Sequence, residues 1–221
     1  MPLEGERIFL RRRVPDTLFE RLCSEASLVE KRTEKIEADT CEVDAAGAVS
    51  SRGSCRIAGP RDALNEFHHS FGFELAADFA GLEQDLMPTR ASFLFYDCDD
   101  YTFFHHDTSL SHITIIVGLS DGLLPLFAYP SFGPISDKDV IQLNYISPSG
   151  PLELSQQMQE RFGSRSKAIE IAVDKQFAVA IKGRRIPHAR PRQPVAGSIC
   201  TACYAFVLPS KDWLTPRNDA A

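Results

Sequence analysis

The residues best suited to chemistry in this chain are His105 and Asp107, one residue apart, and His188, which follows about eighty residues later inside Arg185-Ile186-Pro187-His188-Ala189-Arg190. Two neutral imidazole nitrogens and one carboxylate oxygen suit Fe(II), which they hold by one face while the opposite positions stay open for oxygen and a co-substrate. An H-x-D tripeptide alone is a weak signal, so the surrounding pattern has to carry the reading.

That pattern is strand-like on both sides. Ser92 to Tyr96 and Tyr101 to Phe104 are aromatic-rich runs flanking the acidic turn Asp97-Cys98-Asp99-Asp100, and Ile113 to Val117 is a β-branched run closed by Gly118. Near the end of a strand, His105 and Asp107 at i and i+2 point to one face and can share a metal, while His106 points to the other. Downstream, Ile169 to Val173 and Phe177 to Lys182 read as two strands joined through Asp174-Lys175-Gln176. After a turn at Gly183 comes His188, and Ser198 to Val207 forms a further strand.

In order and spacing, Tyr96, Asp99-Asp100-Tyr101, His105-x-Asp107, Ile113 to Ser120, and Ile186-Pro187-His188-Ala189 before Gly197-Ser198 resemble the Fe(II)/2-oxoglutarate-dependent oxygenases, closest in style to their prolyl-hydroxylase-like branch. The likeness spans roughly residues 92 to 207. It implies an α+β, mainly β fold, a double-stranded β-helix or jelly roll with supporting N-terminal helices. It also implies that His105, Asp107 and His188 bind iron, that the Tyr96 hydroxyl helps to hold 2-oxoglutarate, and that Thr114 is a further contact to it. The expected cofactors are Fe(II), 2-oxoglutarate as co-substrate, and O2.

The chain departs from the family at one place. A basic residue is usual about nine to eleven positions after the second His, where it pairs with the far carboxylate of 2-oxoglutarate; here Gly197, Ser198 and Ile199 stand there. A carboxylate in a partly buried pocket needs a cationic or multiply hydrogen-bonded partner, and a guanidinium fork is the favoured one. Arg190 lies at i+2 from His188 and shares its face if the strand continues towards Pro191. Arg192 is the fallback, with Ser198 as an additional donor.

The resemblance implies hydroxylation of a small organic substrate such as an amino acid or secondary metabolite. Retention of Asp107 supports hydroxylation over halogenation, because a halogenase of this family vacates the carboxylate position for halide. Two alternatives stay open: hydroxylation of a peptide or protein side chain, and a non-catalytic metal-binding jelly-roll module, which the missing basic residue favours.

Composition bounds the rest. The chain has 221 residues, 43% hydrophobic and 24% charged, and is expected to form a single domain. Residues 1–90 supply helical and strand support, 91–208 the jelly-roll core with an insertion about 125–151, and 209–221 a tail. A net charge of -6 argues against a nucleic-acid footprint. No apolar signal core or membrane span is visible, so no membrane partner and a cytoplasmic location are expected. The 6 Cys are expected to be free thiols, since Cys200 and Cys203 fall on opposite faces of a strand.

Outside the core, Ile8 to Leu10 reads as a strand ending in a solvated Arg11-Arg12-Arg13 run, Pro15-Asp16 opens a helix to about Ser27, and Ala45 to Gly53 is a turn region. One helix is expected over Arg61 to Ala80, burying Leu64, Phe67, Phe71 and Leu75, with His68 and His69 in structural or surface roles. His112 is expected beside the metal ligands or the substrate. The Pro/Gly-punctuated segment Pro125 to Pro151 reads as a loop at the substrate mouth, lined by Phe127, Tyr129, Phe132 and Tyr145, followed by a short amphipathic helix over Pro151 to Phe162.

Overall fold

A computed structural model describes residues 7–30, 35–36, 41–43, 49–51, 55–59, 61–81, 86–107, 110–131, 156, 158–160, 162–163, 167–194 and 198–208. In chain order the elements are β1 (Phe9–Arg13), α1 (Asp16–Glu30), β2 (Lys35–Ile36), β3 (Cys41–Val43), β4 (Val49–Ser51), β5 (Cys55–Ala58), α2 (Asp62–His69), α3 (Phe71–Ala80), β6 (Met87–Tyr96), β7 (Thr102–His105), β8 (Ile113–Gly118), β9 (Leu126–Ala128), β10 (Ile169–Ile171), β11 (Phe177–Ile181), β12 (His188–Arg190) and β13 (Ile199–Val207). The chain is mainly β with three helices in its first half.

Two sheets matter for the site. The larger runs β1-β11-β8-β13-β6-β5-β2 and the smaller β10-β9-β12-β7; β3 and β4 form a separate hairpin. Every pairing between these strands is antiparallel. Strand alternation sorts the larger sheet's side chains onto two faces. Phe93, Phe95, Ile113, Ile115, Val117, Ala202, Tyr204 and Phe206 pack with Leu22, Leu64, Phe67, Leu75 and Phe79 of the helices. On the other face, Ile116, Val179 and Ile181 pack with Leu126, Ala128 and Ile171 of the smaller sheet. Tyr96, Thr114 and Thr201 of the larger sheet alternate out of the first set and so lie on the face opposite the helices.

Several local expectations are corrected. Residues Arg61 to Ala80 form two helices, because Ser70 has φ -123 and ψ -103 and its hydroxyl turns back to the Glu66 carbonyl at 2.6 Å. Leu64, Phe67 and Leu75 are nonetheless buried as their spacing demands, and Phe71 packs against them. The expected turn at Ala45 to Gly53 contains β4, paired with β3. The expected insertion from Pro125 begins with β9, a buried strand between β10 and β12. Three consecutive apolar residues carried no alternation to reveal it. Phe132, Tyr145 and the rest of that segment from 132 to 155 lie outside the described residues. Of the helix expected before Phe162, Gln156, Met158 to Glu160 and Phe162 are helical.

The basic run is part of β1, and each Arg is matched by an acid: Arg11 with Asp174, Arg12 with Asp78 at 2.6 Å, Arg13 with Asp16 at 2.8 Å. His68 is buried and its Nε2 bonds the Ala205 carbonyl at 2.9 Å, while His69 is exposed. Cys23, Cys98, Cys200 and Cys203 are free thiols. No helix among the described residues is long and apolar enough to cross a membrane.

Candidate metal centre

β7 and β12 pair antiparallel with His105 directly opposite His188. That register brings two imidazoles distant in sequence to a ring-centroid separation of 4.3 Å. Asp107 lies just beyond the end of β7, where its backbone N–H donates to the Gly183 carbonyl at 3.0 Å. Its Oδ1 sits 3.4 Å from His105 Nε2 and 3.7 Å from His188 Nε2. One ligand atom from each of the three residues therefore lies within 4.8 Å of the other two.

The electrostatics suit a divalent cation. Burial raises the Asp107 carboxyl, but the charge of His188, the bond from His105 and the hydroxyl of Thr114 together hold it well below the usual carboxylate range. Burial and the charge of His105, against the opposing pull of Asp107, together lower His188 to about 4, so its ring is neutral near pH 7. With His188 Nδ1 donating to the Ile186 carbonyl at 2.9 Å, the Nε2 lone pair faces Asp107 and His105. His106 is turned away from this cluster, its Nδ1 held by the Arg184 carbonyl at 2.8 Å. Two imidazole nitrogens and an ionised carboxylate, already convergent, fit Fe(II) or a similar first-row ion.

Gly183, which the sequence reading took only as a turn, and Thr114 shape this corner. Gly183 lies against the Asp107 side chain so closely that a Cβ there would overlap Asp107 Oδ2 and come within 2.6 Å of Thr114 Oγ1. Thr114 donates to Asp107 Oδ2, which leaves Oδ1 for the histidine side. The Thr114 hydroxyl, expected at the co-substrate, is engaged with the Asp107 carboxylate. A glycine closing a strand was read only as a turn signal, and its contact with Asp107 becomes visible only in three dimensions.

The co-substrate candidates separate cleanly. Arg190 ends β12 opposite Thr102 of β7, across a register shift from His188. Its side chain is 2% exposed, its guanidinium lies 5.1 Å from the Tyr96 ring centroid, and its charge contributes to lowering His188. Among the described residues its Nε has no hydrogen-bond partner and its guanidinium no ion pair. The Tyr96 hydroxyl is 3.1 Å from Thr102 Oγ1. Thr201 of β13, on the same inner face as Tyr96, is fully buried, and among the described residues its hydroxyl also lacks a partner.

Arg192 and Ser198 fall elsewhere. Arg192 donates to the Asp99 carbonyl at 3.0 Å and lies over the Tyr101 ring at 4.4 Å. Ser198 is exposed, and its hydroxyl accepts from Arg56, whose guanidinium also binds Asp97 and Glu30. Pro191 explains the first case, because it ends β12 and the chain turns away before Arg192.

The remaining candidates among the described residues are buried. His112 is buried with Nδ1 accepting from the Leu208 N–H at 2.8 Å, an anchor for the end of β13. Phe127 and Tyr129, expected at the substrate mouth, are buried with Met158 and Ala189.

No family model and no curated protein matches the sequence. Solved structures do match the fold. A prolyl-4-hydroxylase from Pseudomonas putida is 10% identical with a TM-score of 0.54, covering 91% of this chain and 93% of that one. The epimerase SnoN from nogalamycin biosynthesis, in complex with Fe3+, alpha ketoglutarate and nogalamycin RO, is 12% identical with a TM-score of 0.61, covering 98% and 88%. HygX from Streptomyces hygroscopicus, with nickel, 2-oxoglutarate and hygromycin B bound, is 12% identical with a TM-score of 0.59, covering 92% and 84%.

Proposed function

The chain shares its fold with these Fe(II)/2-oxoglutarate oxygenase structures, and on that premise we propose that it is itself an Fe(II)/2-oxoglutarate-dependent oxygenase that hydroxylates a small organic substrate. In this reading the two facing sheets are the halves of a double-stranded β-helix. His105, Asp107 and His188 hold the iron, and Arg190 holds the remote carboxylate of 2-oxoglutarate.

The observation that carries the reading is the buried Arg190 guanidinium without an anion, two residues from a metal-ligand candidate. A buried unpaired charge costs several kcal/mol, so a cation kept in this place implies an anionic ligand that completes it. A metal-binding scaffold without redox chemistry has no use for such a cation, which weighs against that alternative. The small substrate is supported by two similar structures that hold hygromycin B and nogalamycin RO, against one, a prolyl hydroxylase from Trichoplax adhaerens, that holds a peptide fragment.

Bound iron with 2-oxoglutarate and O2 would supply the oxidising power for C–H hydroxylation. The chain's own residues do the rest. His105 and His188 present their Nε2 atoms, Thr114 and Gly183 fix which Asp107 oxygen faces them, and Arg190 with the Thr201 hydroxyl receives the far carboxylate. The Tyr96 ring walls the guanidinium from one side and limits its motion.

Measured succinate release from 2-oxoglutarate on iron addition tests the assignment. Wild-type protein should release it, and His105→Ala should not while keeping its circular dichroism spectrum. Iron-independent release, or full release by the variant, would refute it.

A further inference from the structure

The cation at Arg190 has to be held in place, and one fully buried polar side chain nearby has no part in the chemistry so far. Gln193 is 0% exposed, three residues beyond Arg190. Its backbone N–H donates to the Asp100 carbonyl at 2.9 Å, and its own carbonyl accepts from the Asp99 N–H at 2.9 Å. Its side chain is equally engaged: Oε1 accepts from the Leu124 N–H at 3.0 Å, and Nε2 donates to the Pro191 carbonyl at 2.8 Å.

These four bonds tie together three segments. One is the exit of β12, immediately after Arg190. Another is the turn between Tyr96 of β6 and Thr102 of β7, itself closed by Asp97 N–H on Asp100 Oδ2 at 2.9 Å. The last is the connection leading into β9. Asp99 takes a positive φ of 67 within the turn, a geometry that its reciprocal bond to Gln193 helps to maintain. Arg190 and the Tyr96 ring that walls it are thus the last residues before two segments that Gln193 locks to each other.

We propose that Gln193 is a positioning residue for co-substrate selection: it fixes the Arg190 guanidinium against Tyr96, so that the pocket prefers a 2-oxo dicarboxylate over a 2-oxo monocarboxylate. This rests on the reading of Arg190 as the anchor of 2-oxoglutarate. A hydrocarbon side chain at 193 leaves the Leu124 N–H and Pro191 carbonyl without their partner, so the exit of β12 loses its side-chain tie to the connection into β9 and keeps only its two backbone bonds to the Asp99 and Asp100 turn. His188, at the start of β12, is held separately by its pairing with His105 and Ala128 and by its own bond to Ile186.

The test is anaerobic binding of 2-oxoglutarate and of 2-oxovalerate, which lacks only the remote carboxylate, to Mn(II)-loaded protein. Wild type, Gln193→Leu, Gln193→Glu, Arg190→Met and the Gln193→Leu/Arg190→Met double variant are compared. Gln193→Glu keeps the acceptor for Leu124 and loses the donor to Pro191, and it serves if the leucine variant does not fold. The expected result is a roughly tenfold weaker 2-oxoglutarate Kd in the Gln193 variant, with 2-oxovalerate and Mn(II) binding within about twofold of wild type. The double variant should bind 2-oxoglutarate no more weakly than Arg190→Met alone, because both changes act through one contact.

Equal weakening of both keto acids would show a merely structural role, and unchanged 2-oxoglutarate binding would show none; either overturns the proposal while Arg190→Met still weakens 2-oxoglutarate. Wild-type protein that does not distinguish the two keto acids, or an Arg190→Met variant that binds like wild type, removes the co-substrate reading and this inference with it.

Discussion

Replacing Gly183 by alanine adds one methyl group where there is no room for it. The new Cβ would overlap Asp107 Oδ2 and stand 2.8 Å from Asp107 Cγ and 2.6 Å from Thr114 Oγ1. Gly183 is not among the glycines with positive φ, so alanine meets no backbone penalty and the whole effect is steric. The carboxylate can escape only by rotating away from Thr114, which forfeits a charge-assisted hydrogen bond of about 1.5–3 kcal/mol. If the backbone moves instead, the cost is that of overpacking, about 1–3 kcal/mol. Asp107 N–H is bonded to the Gly183 carbonyl, so backbone movement drags the ligand as well. Both routes displace Oδ1 from the two Nε2 atoms. At about 1.4 kcal/mol per decade, iron affinity should fall roughly 10- to 100-fold. Thr114→Val, which removes the hydroxyl without adding bulk at 183, should cost less. Competition titration against a chelator gives the affinity and thermal melts give the stability. A Gly183→Ala protein with wild-type iron affinity and an unchanged Tm would refute the reasoning.

Asp107→Ala should abolish stoichiometric iron binding, measured by metal analysis after desalting, with far-UV circular dichroism retained. Phe127→Ala should lower stability by about 3–5 kcal/mol in urea unfolding and leave substrate affinity unchanged, because Phe127 is 1% exposed and packs on Met158 and Tyr129. His68 gives a pH signature: burial lowers its folded-state pKa below the ordinary 6.5, outweighing the bond to Ala205. The unfolded chain therefore takes up this proton first, so the contribution is full above pH 6.5 and is lost as pH falls from there towards the lower folded value. The slope is at most about 1.4 kcal/mol per pH unit for this one site, and His68→Gln should flatten that limb of a stability-against-pH curve.

The iron-ligand candidates were legible because strand alternation and pairing leave little freedom: a short aromatic strand ending in His105, an acid two residues on, and a second histidine opening a strand that pairs back. Arg190 was legible for the same reason, since i+2 on a strand keeps a face. Arg192 and Ser198 make contacts elsewhere, where that rule stops. Pro191 ends the strand, and Ser198 precedes β13 at the surface, where Arg56 reaches it from β5 across a separation of 142 residues. The bond from Thr114 to Asp107 was not legible, because the corner that Gly183 closes around Asp107 comes from a turn far along the chain. The short β9 went unrecognised because full burial on both sides removes the polar alternation by which strands are read.

The central claim, that one buried arginine beside a His-Asp-His centre makes this chain a user of 2-oxoglutarate, is tested most directly by anaerobic titration of the Fe(II)-loaded protein with 2-oxoglutarate. Wild type should bind one equivalent, with a visible charge-transfer band from the chelated keto acid. Arg190→Met should need about 10 to 100 times more 2-oxoglutarate to reach the same band, as loss of roughly 2 kcal/mol from a charge-assisted contact would require. A wild-type protein that binds iron and develops no band at saturating 2-oxoglutarate, or an Arg190→Met protein that titrates like wild type, would contradict the account.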